Sequence, residues 1–281
     1  MKTAIVTDST AYLPANLMKE LDIHMIPLTV TLDGEAYDEE IDLTTTNFYD
    51  KVRGGGPLPK TSQPPIGKFV ELFESLKDTY DAVISIHLSS GISGTYAGAT
   101  QAGEMVEGID VQTFDSEISC HPQGFYVLRA AELAQQGATP DAIMAELVEM
   151  KKTLRAYFMV DDLSHLQRGG RLSSAQALIG GLLQVKPLLH FHDKVIVPYE
   201  KIRTRKKAMK RIADLLAEDA AKMPLEAVVI HGNQPEDAEV WLAELTEQLP
   251  DVKFTISHFG PVIGTHLGEG AMGLGWVKRK A

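Results

Sequence analysis

The chain has 281 residues, enough for one large domain or two modest ones, and 44% of them are hydrophobic and 23% charged, as in globular proteins. A net charge of −11 argues against binding to a nucleic-acid backbone or to anionic lipid, because both depend on Lys and Arg. The single cysteine, Cys120, excludes an intrachain disulfide, and the sequence shows neither the apolar core of a signal peptide nor an uncharged apolar run of ~20 residues. We therefore expect a cytoplasmic protein.

The first half of the chain alternates predicted strands with predicted helices. Strands are expected at residues 3–8, 24–32, 81–88 and 110–116. Helices are expected from Pro14 to Leu21, from Thr44 with its hydroxyl as a cap, over the apolar stripe of 66–76, after Thr95, and along a long segment that includes 143–154. This alternation is typical of an α/β fold with a parallel, Rossmann-like sheet.

The second half has a different pattern. An arginine–glycine turn precedes an apolar helix over 173–185 that Gly180-Gly181 interrupts, and a hairpin is expected around Asp193-Lys194. An amphipathic helix from 205 and two strands flanking a further helix follow. The mixture predicts a C-terminal α+β domain over 159–281, after an N-terminal α/β domain over 1–158.

Three loops follow predicted strands of the first half, at residues 8–10, 89–95 and 115–119. In an open parallel sheet the carboxyl ends of the strands form one edge, where ligands bind. Asp8 and Asp115 end two of these strands, and we expect them to cap the helices that follow.

The loop "SSGISGTYAGAT" (89–100) joins a strand to a helix and is rich in glycine and hydroxyl groups. A hydrolase nucleophile turn needs Gly-x-Ser-x-Gly, but Thr95 stands at the last position. The glycines are not spaced as G-x-G-x-x-G, and no Lys follows as in a P-loop. A turn before a helix exposes free amides that suit a carboxylate, with hydroxyl donors from Ser93 and Thr95. The alternative is that either hydroxyl only caps its own helix.

The chain resembles the bacterial DegV family of fatty-acid-binding proteins. Five segments match in order and cover the chain from residue 3 to about 279: "IVTDSTAYLP" (5–14), "KTSQPP" (60–65), "SSGISGTYAGA" (89–99), "RGGRLS" (168–173) and "FGPVIGTHLGEGAMG" (259–273). Each motif alone is weak, but five in order are specific. The resemblance implies two domains, with a long-chain fatty acid such as palmitate buried between or beneath them and a ligand site between them.

The resemblance also implies roles for individual residues. The carboxylate is expected at Thr61, Ser93 and His266, and the neighbouring loop positions are Ser62, Gly94 and Thr95.

Arg171 matches a position that in this family is implicated in the interaction with a partner protein. The resemblance implies that this partner is an ATP-dependent fatty-acid kinase that makes acyl-phosphate. Pro65 and Glu269 depart from residues common in the family, and Glu269 places a charge beside His266. The apolar helix over 173–185 is expected either to line the acyl chain or to be ordinary core.

These observations predict a carrier for a long-chain fatty acid, with a role in lipid transport or fatty acid metabolism, that has no catalytic residue, metal site or cofactor of its own. The remaining histidines show no spacing typical of a metal site, and the basic run 201–211 is either a solvated helix face or a patch for an acidic partner. The alternatives are a serine hydrolase that acts on an acyl substrate through Ser93, a self-sufficient lipid kinase, and a binder of another small carboxylate. No kinase motif supports the second of these.

Overall fold

The computed structural model describes residues 2–54, 57–172 and 186–280, and arranges them in three β-sheets flanked by helices. The strands and helices are, in chain order, β1 (Thr3–Asp8), α1 (Ala15–Glu20), β2 (Ile23–Ile26), β3 (Thr29–Leu32), β4 (Glu35–Asp38), α2 (Thr45–Arg53), β5 (Lys60–Ser62), α3 (Ile66–Leu76), β6 (Ala82–His87), α4 (Thr95–Met105), β7 (Asp110–Asp115), α5 (His121–Gln135), α6 (Pro140–Lys151), β8 (Arg155–Met159), α7 (Ser164–Arg168), β9 (Lys186–His192), β10 (Val195–Ile202), α8 (Arg205–Ala220), β11 (Leu225–His231), α9 (Pro235–Gln248), β12 (Lys253–His258), α10 (Pro261–Leu267) and β13 (Met272–Lys278). A short 3-10 turn, Ser9–Ala11, follows β1. Among these helices none is long and apolar enough to cross a membrane.

The first sheet has the order β2-β1-β6-β7, and all of its strands are parallel. Successive residues of a strand point to opposite faces, so an almost wholly apolar strand supplies two cores. In β1, Ala4 and Val6 pack with α3 and α4, whereas Ile5 packs in the core that contains α5 and α6. The predicted parallel α/β arrangement of the first half is confirmed.

The second sheet has the order β10-β9-β8-β13-β11-β12, and only the pair β11 and β12 is parallel. The glycine-rich end of the chain forms β13 in the middle of this sheet. A Cβ at Gly275 would lie 2.5 Å from Pro122 at the start of α5, so this glycine permits the close approach of helix and sheet. The predicted hairpin around Asp193-Lys194 is confirmed, and both turn residues have positive φ, at 47° and 72°.

The third sheet, in the order β4-β3-β5, corrects a prediction. The single strand expected over 24–32 is two strands, because Pro27 lacks the backbone N–H that a continuous ladder needs. β2 joins the first sheet, whereas β3 pairs antiparallel with β4 and β5. The separation matters for the site, because Thr61 on β5 is held opposite Val30.

Two smaller expectations also differ. Thr44 precedes α2 but makes no side-chain capping bond, and Leu154 lies beyond the end of α6. Residue 158 falls inside β8, so a division there would cut a paired strand of the second sheet, and the domain boundary stays a prediction. The apolar helix over 173–185 lies outside the described residues.

Candidate functional site

The three loops predicted to meet at the carboxyl edge of the first sheet follow β1, β6 and β7, which are adjacent and parallel. Asp8 caps the turn after β1, where it accepts from the backbone N–H of Thr10, and its second oxygen accepts from Leu88 N. Asp115 does not cap α5, whose N-cap residue is Cys120. It accepts from Ser90 instead, because the loop 116–120 separates it from the helix.

A cavity of about 240 Å³ lies beside these loops. Its polar lining comes from four segments that are distant in the sequence: β5 and the residue after it, the loop before α4, the turn after α7, and α10. The lining residues are Leu28, Thr61, Ser62, Gln63, Leu88, Ile92, Ser93, Gly94, Arg171, Val262, Ile263 and His266. The structure thus brings together all the residues predicted at the carboxylate, both of the neighbours Ser62 and Gly94, and Arg171. Thr95 is not in the lining.

Thr61 and His266 meet directly in this cavity. The Thr61 Oγ1 and His266 Nε2 atoms are 2.8 Å apart and share a hydrogen bond. A Cβ at Gly169 would collide with the imidazole, so the R-G-G-R turn packs against it. The pKa of His266 is lowered to about 4, mainly by burial and also by the nearby Arg171 and His165. The imidazole is therefore neutral near pH 7 and acts as a hydrogen-bonding group rather than as a cation.

Ser93 occupies the turn before α4. Its Oγ lies 2.8 Å from Thr95 Oγ1 and accepts from Thr95 N at 3.3 Å, so Ser93 both faces the cavity and caps the first amide of its helix. A Cβ at Gly94 would collide with the side chain of Gln63. The glycine therefore lets the turn lie against the segment that carries Thr61, and this close contact explains why a residue without a side chain stands at this position.

Arg171 holds the serine-rich turn from the opposite side. Its Nε donates to the carbonyl of Ile92 at 3.1 Å, and its Nη1 donates to the carbonyl of Gly169 at 2.5 Å. These bonds join the R-G-G-R turn to the loop that presents Ser93. Arg171 is thus a structural neighbour of the cavity as well as a predicted docking residue.

The tip of the β9–β10 hairpin is a second support of this loop, and no pattern in the sequence indicates it. Ser89 Oγ donates to the carbonyl of Lys194 at 2.6 Å, and Lys194 Nζ pairs with Asp115 at 2.9 Å. A Cβ at Gly91 would collide with Lys194, so the glycine is required by this contact. No periodicity or motif links residue 194 to residue 91.

Glu39 is a second residue that sequence reasoning missed. It is fully buried, and its carboxylate accepts from Ser9 Oγ at 2.5 Å, Tyr12 Oη at 2.9 Å and the backbone N–H of Val262 at 2.6 Å. Burial raises the pKa of Glu39 to about 8, although these hydrogen bonds lower it. Because Val262 lies in the first turn of the helix that carries His266, Glu39 fixes one wall of the cavity. In the sequence it stands within an acidic run that reads as exposed loop.

The apolar wall of the cavity comes from Leu28, Leu88, Ile92, Val262 and Ile263. Ile263 also lines a neighbouring apolar cavity of about 30 Å³. The other members of that second lining include side chains from α5 and from the second sheet: Cys120, Pro122, Phe158, Phe191, Ile230 and Leu274. The polar cavity therefore adjoins, through Ile263, a small apolar cavity between α5 and the second sheet.

The remaining histidines do not build a metal centre within the described ranges, where no group of three or more His, Cys, Asp or Glu has a suitable arrangement. His87 is fully buried, with Nδ1 at 3.0 Å from Asp8 and Nε2 at 2.6 Å from Ser85. This serine–histidine–aspartate chain lies inside the sheet, where no substrate can reach it.

The basic run 201–211 forms the end of β10 and the start of α8. Several of its cations are in ion pairs, since Lys210 contacts Asp214 and Arg211 contacts Glu200 and Glu218. Exposed pairs of this kind contribute little to stability, and they leave the run a partly neutralised surface.

Comparison with known proteins identifies a family that matches almost the whole chain. The sequence profile described as "Uncharacterised protein, DegV family" matches residues 2–279. Protein DegV of Bacillus subtilis (strain 168) is 62% identical over 278 residues, which are 98% of this chain and 99% of that protein.

Two solved structures extend the comparison to the fold. The crystal structure of DegV from Bacillus subtilis, described as a fatty acid binding protein, has a TM-score of 0.95 at 60% identity and covers 99% of this chain and 100% of its own. A DegV family protein from Thermus thermophilus, described for its fatty acid binding, has a TM-score of 0.92 at 32% identity with the same coverage.

Proposed function

The chain belongs to the DegV family, and from that premise we propose that it binds a long-chain fatty acid and presents the carboxylate to a partner protein. One observation carries the proposal: Thr61, Ser93 and His266, which are far apart in the sequence, line one cavity that adjoins a small apolar cavity. The related proteins from Bacillus subtilis and Thermus thermophilus are described as binding fatty acids, which supports the same ligand here. Palmitate represents the class, and the protein acts in the cytoplasm in fatty acid metabolism or lipid transport.

The head group meets donors that carry no charge. The hydrogen bond between Thr61 and the neutral imidazole of His266 uses one of their two protons, so this pair supplies one donor, and the hydroxyl of Ser93 supplies another. The free backbone amides at the start of α4 add the positive end of a helix dipole. Such a site orients a carboxylate, while most of the affinity comes from burial of the acyl chain at ~0.8 kcal/mol per CH₂.

A hydrolase that uses Ser93 has less support. A nucleophilic serine needs a base within hydrogen-bond reach, and among the described residues Ser93 is bonded to Thr95. His266 is engaged with Thr61 instead, and His87 is enclosed with Ser85 and Asp8. We therefore propose a carrier without catalytic residues, metal or cofactor, and not an enzyme.

The partner in this proposal is an ATP-dependent fatty-acid kinase that forms acyl-phosphate. Phosphoryl transfer needs groups that hold a nucleotide, and the sequence contains no motif of that kind. Arg171 stands at the rim of the carboxylate cavity, where a second protein would meet the head group. The basic run 201–211 is a further candidate surface for the kinase.

Replacing Ser93 with Ala is expected to weaken palmitate binding by roughly 1.5–3 kcal/mol, because one hydrogen bond to a charged group is lost while burial of the chain is kept. Competition with a fluorescent fatty acid measures the effect, with Ser75→Ala on the exposed face of α3 as the matched control. Complete loss of binding, or an acyl or phosphonate adduct trapped on Ser93 in the wild type, would contradict the carrier and favour the hydrolase.

Replacing Arg171 with Ala is expected to leave fatty acid bound but to abolish acyl-phosphate formation in the presence of the kinase. Its hydrogen bonds to described residues go to backbone carbonyls, so their loss affects the turn and not the buried chain. Lipid extraction and a coupled ATP assay test the two halves, and Arg129→Ala is the control. Loss of lipid would show that Arg171 is needed to hold the fatty acid and is not only a docking residue, and consumption of ATP by the wild type alone would overturn the carrier.

A further inference from the structure

A groove of about 620 Å³ runs between α8 and α9, the two helices that pack on one face of the second sheet. Both helices begin at the same end of the groove, where Arg205 in the first turn of α8 pairs with Asp237 in the first turn of α9. None of the residues that line the groove lines the 240 Å³ cavity, so the two features are separate.

The floor of this groove is apolar. Met209 and Ala213 of α8 and Val240, Trp241 and Leu245 of α9 contribute to it. Trp241 and Leu245 are buried, but the side chain of Val240 is 61% exposed and Met209 is only partly buried. A single exposed valine needs no explanation, whereas an exposed valine beside an apolar groove is typical of a surface that another protein covers.

The two walls of the groove carry opposite charges. The first nine residues of α8 include five Lys or Arg and no acid, and Arg205, Lys206 and Lys210 among them line the groove. The whole of α9 has five Asp or Glu and no Lys or Arg, and Asp237 and Glu244 among them line the groove. A protein that covers the groove therefore needs an acidic surface against α8 and a basic surface against α9.

Part of this charge is already paired within the chain. Arg205 contacts Asp237 at 3.3 Å, and Lys210 contacts Asp214 of its own helix at 2.9 Å. Lys206 and Glu244 form no ion pair with another described residue. Each wall therefore keeps a charge that is available to a second protein.

A second copy of the chain offers the charges that both walls need. In a two-fold dimer the same surface of both copies meets itself, so the surface must be complementary to its own rotated image. A two-fold axis that runs along the groove places α8 of one copy against α9 of the other, and the basic and acidic walls then meet twice. An axis across the helices would instead place α8 on α8 and α9 on α9, where like charges repel.

We propose that two copies of the chain associate through this groove, with α8 of each copy against α9 of the other. The 16 residues of α8 span about 24 Å, and two adjacent helices are about 20 Å wide, so each copy contributes roughly 500 Å². A standard stable interface buries about 800 Å² on each partner. We therefore expect a weak dimer, with a dissociation constant of roughly 10–100 µM, that forms independently of the fatty-acid cavity.

Sedimentation equilibrium of the palmitate-saturated protein tests the dimer. We expect it in 50 mM NaCl at about 100 µM protein, and at least about tenfold weaker in 500 mM NaCl, because salt screens exposed charges. Val240→Glu should weaken association at least about tenfold, since it places an unpaired acid over the apolar floor. The matched control is Val148→Glu on α6, where the side chain is 51% exposed, and it should leave association unchanged.

A pair of charge variants tests the arrangement of the helices. The first variant carries Lys206→Glu and Lys210→Glu, and the second carries Glu244→Lys and Gln248→Lys. Each variant alone should be monomeric, because its α8 and α9 then carry the same charge and repel the other copy. An equimolar mixture should form a heterodimer, because each α8 then meets an α9 of opposite charge.

Three results would overturn the proposal. A wild-type monomer at 200 µM in 50 mM NaCl would leave the groove to a helix of a different protein. A dimer that Val240→Glu does not weaken would place the interface on another surface. Charge variants that dimerise alone, or that do not associate when mixed, would exclude the pairing of α8 with α9. Palmitate affinity, measured separately on each variant, shows whether the proposed fatty-acid function fails independently.

Discussion

Palmitate is expected to bind on the order of a thousand times more tightly than octanoate. The two acids have the same carboxylate, so Thr61, Ser93 and His266 treat their head groups alike. Eight further CH₂ groups in the apolar interior would contribute about 6 kcal/mol at full burial, and about 4 kcal/mol after the cost of ordering the chain. That difference corresponds to a factor of about a thousand in the dissociation constant.

Displacement of one fluorescent fatty acid by each competitor, below their micelle concentrations, measures this ratio. Ser93→Ala should weaken both acids by a similar factor, because it changes only the head-group site. If octanoate and palmitate bind equally, the carboxylate site dominates, and the protein is a binder of another small carboxylate rather than a fatty-acid carrier.

Replacing Glu39 with Ala is expected to lower the free energy of unfolding by about 4 kcal/mol. The change leaves three buried donors without their acceptor: the hydroxyls of Ser9 and Tyr12 and the backbone N–H of Val262. An unsatisfied buried donor costs about 1–3 kcal/mol, and the side-chain space left by the carboxylate adds to the loss. Because Val262 lies in the first turn of α10, the position of His266 should shift and the affinity for palmitate should fall as well.

Urea unfolding measures the loss, and Glu35→Ala, on the exposed strand β4, should stay within about 0.5 kcal/mol of the wild type. Glu39→Gln keeps one acceptor oxygen and should lose less than Glu39→Ala. A loss below about 1 kcal/mol in Glu39→Ala would show that the three donors find other partners, and the positioning role of Glu39 would be wrong.

Most of the regular structure could be predicted from the sequence, because the spacing of apolar residues along the chain depends directly on which side chains are buried. Alternating strands and helices predicted the parallel first sheet, and the stripe of 66–76 predicted α3. The exception at 24–32 shows the limit of that signal. An apolar run does not say which sheet each part joins, and the effect of Pro27 depends on neighbours that are distant in the sequence.

The candidate site was predicted in part, and for a different reason. Thr61, Ser93 and His266 stand in motifs that resemble a family, and the fold brings them to one cavity. Glu39 and Lys194 act at the same place without any motif, through hydrogen bonds that span more than 200 and about 100 residues. Such contacts arise from tertiary packing, so the local pattern around either residue contains no trace of them.

Native mass spectrometry of the purified protein, followed by denaturing extraction and identification of any released lipid, is the most direct test of whether the protein carries a fatty acid. We expect one long-chain fatty acid per chain in the native spectrum, recovered as a free acid after extraction. An apo mass with no acyl chain in the extract, together with no thermal shift on addition of palmitate or oleate, would contradict it.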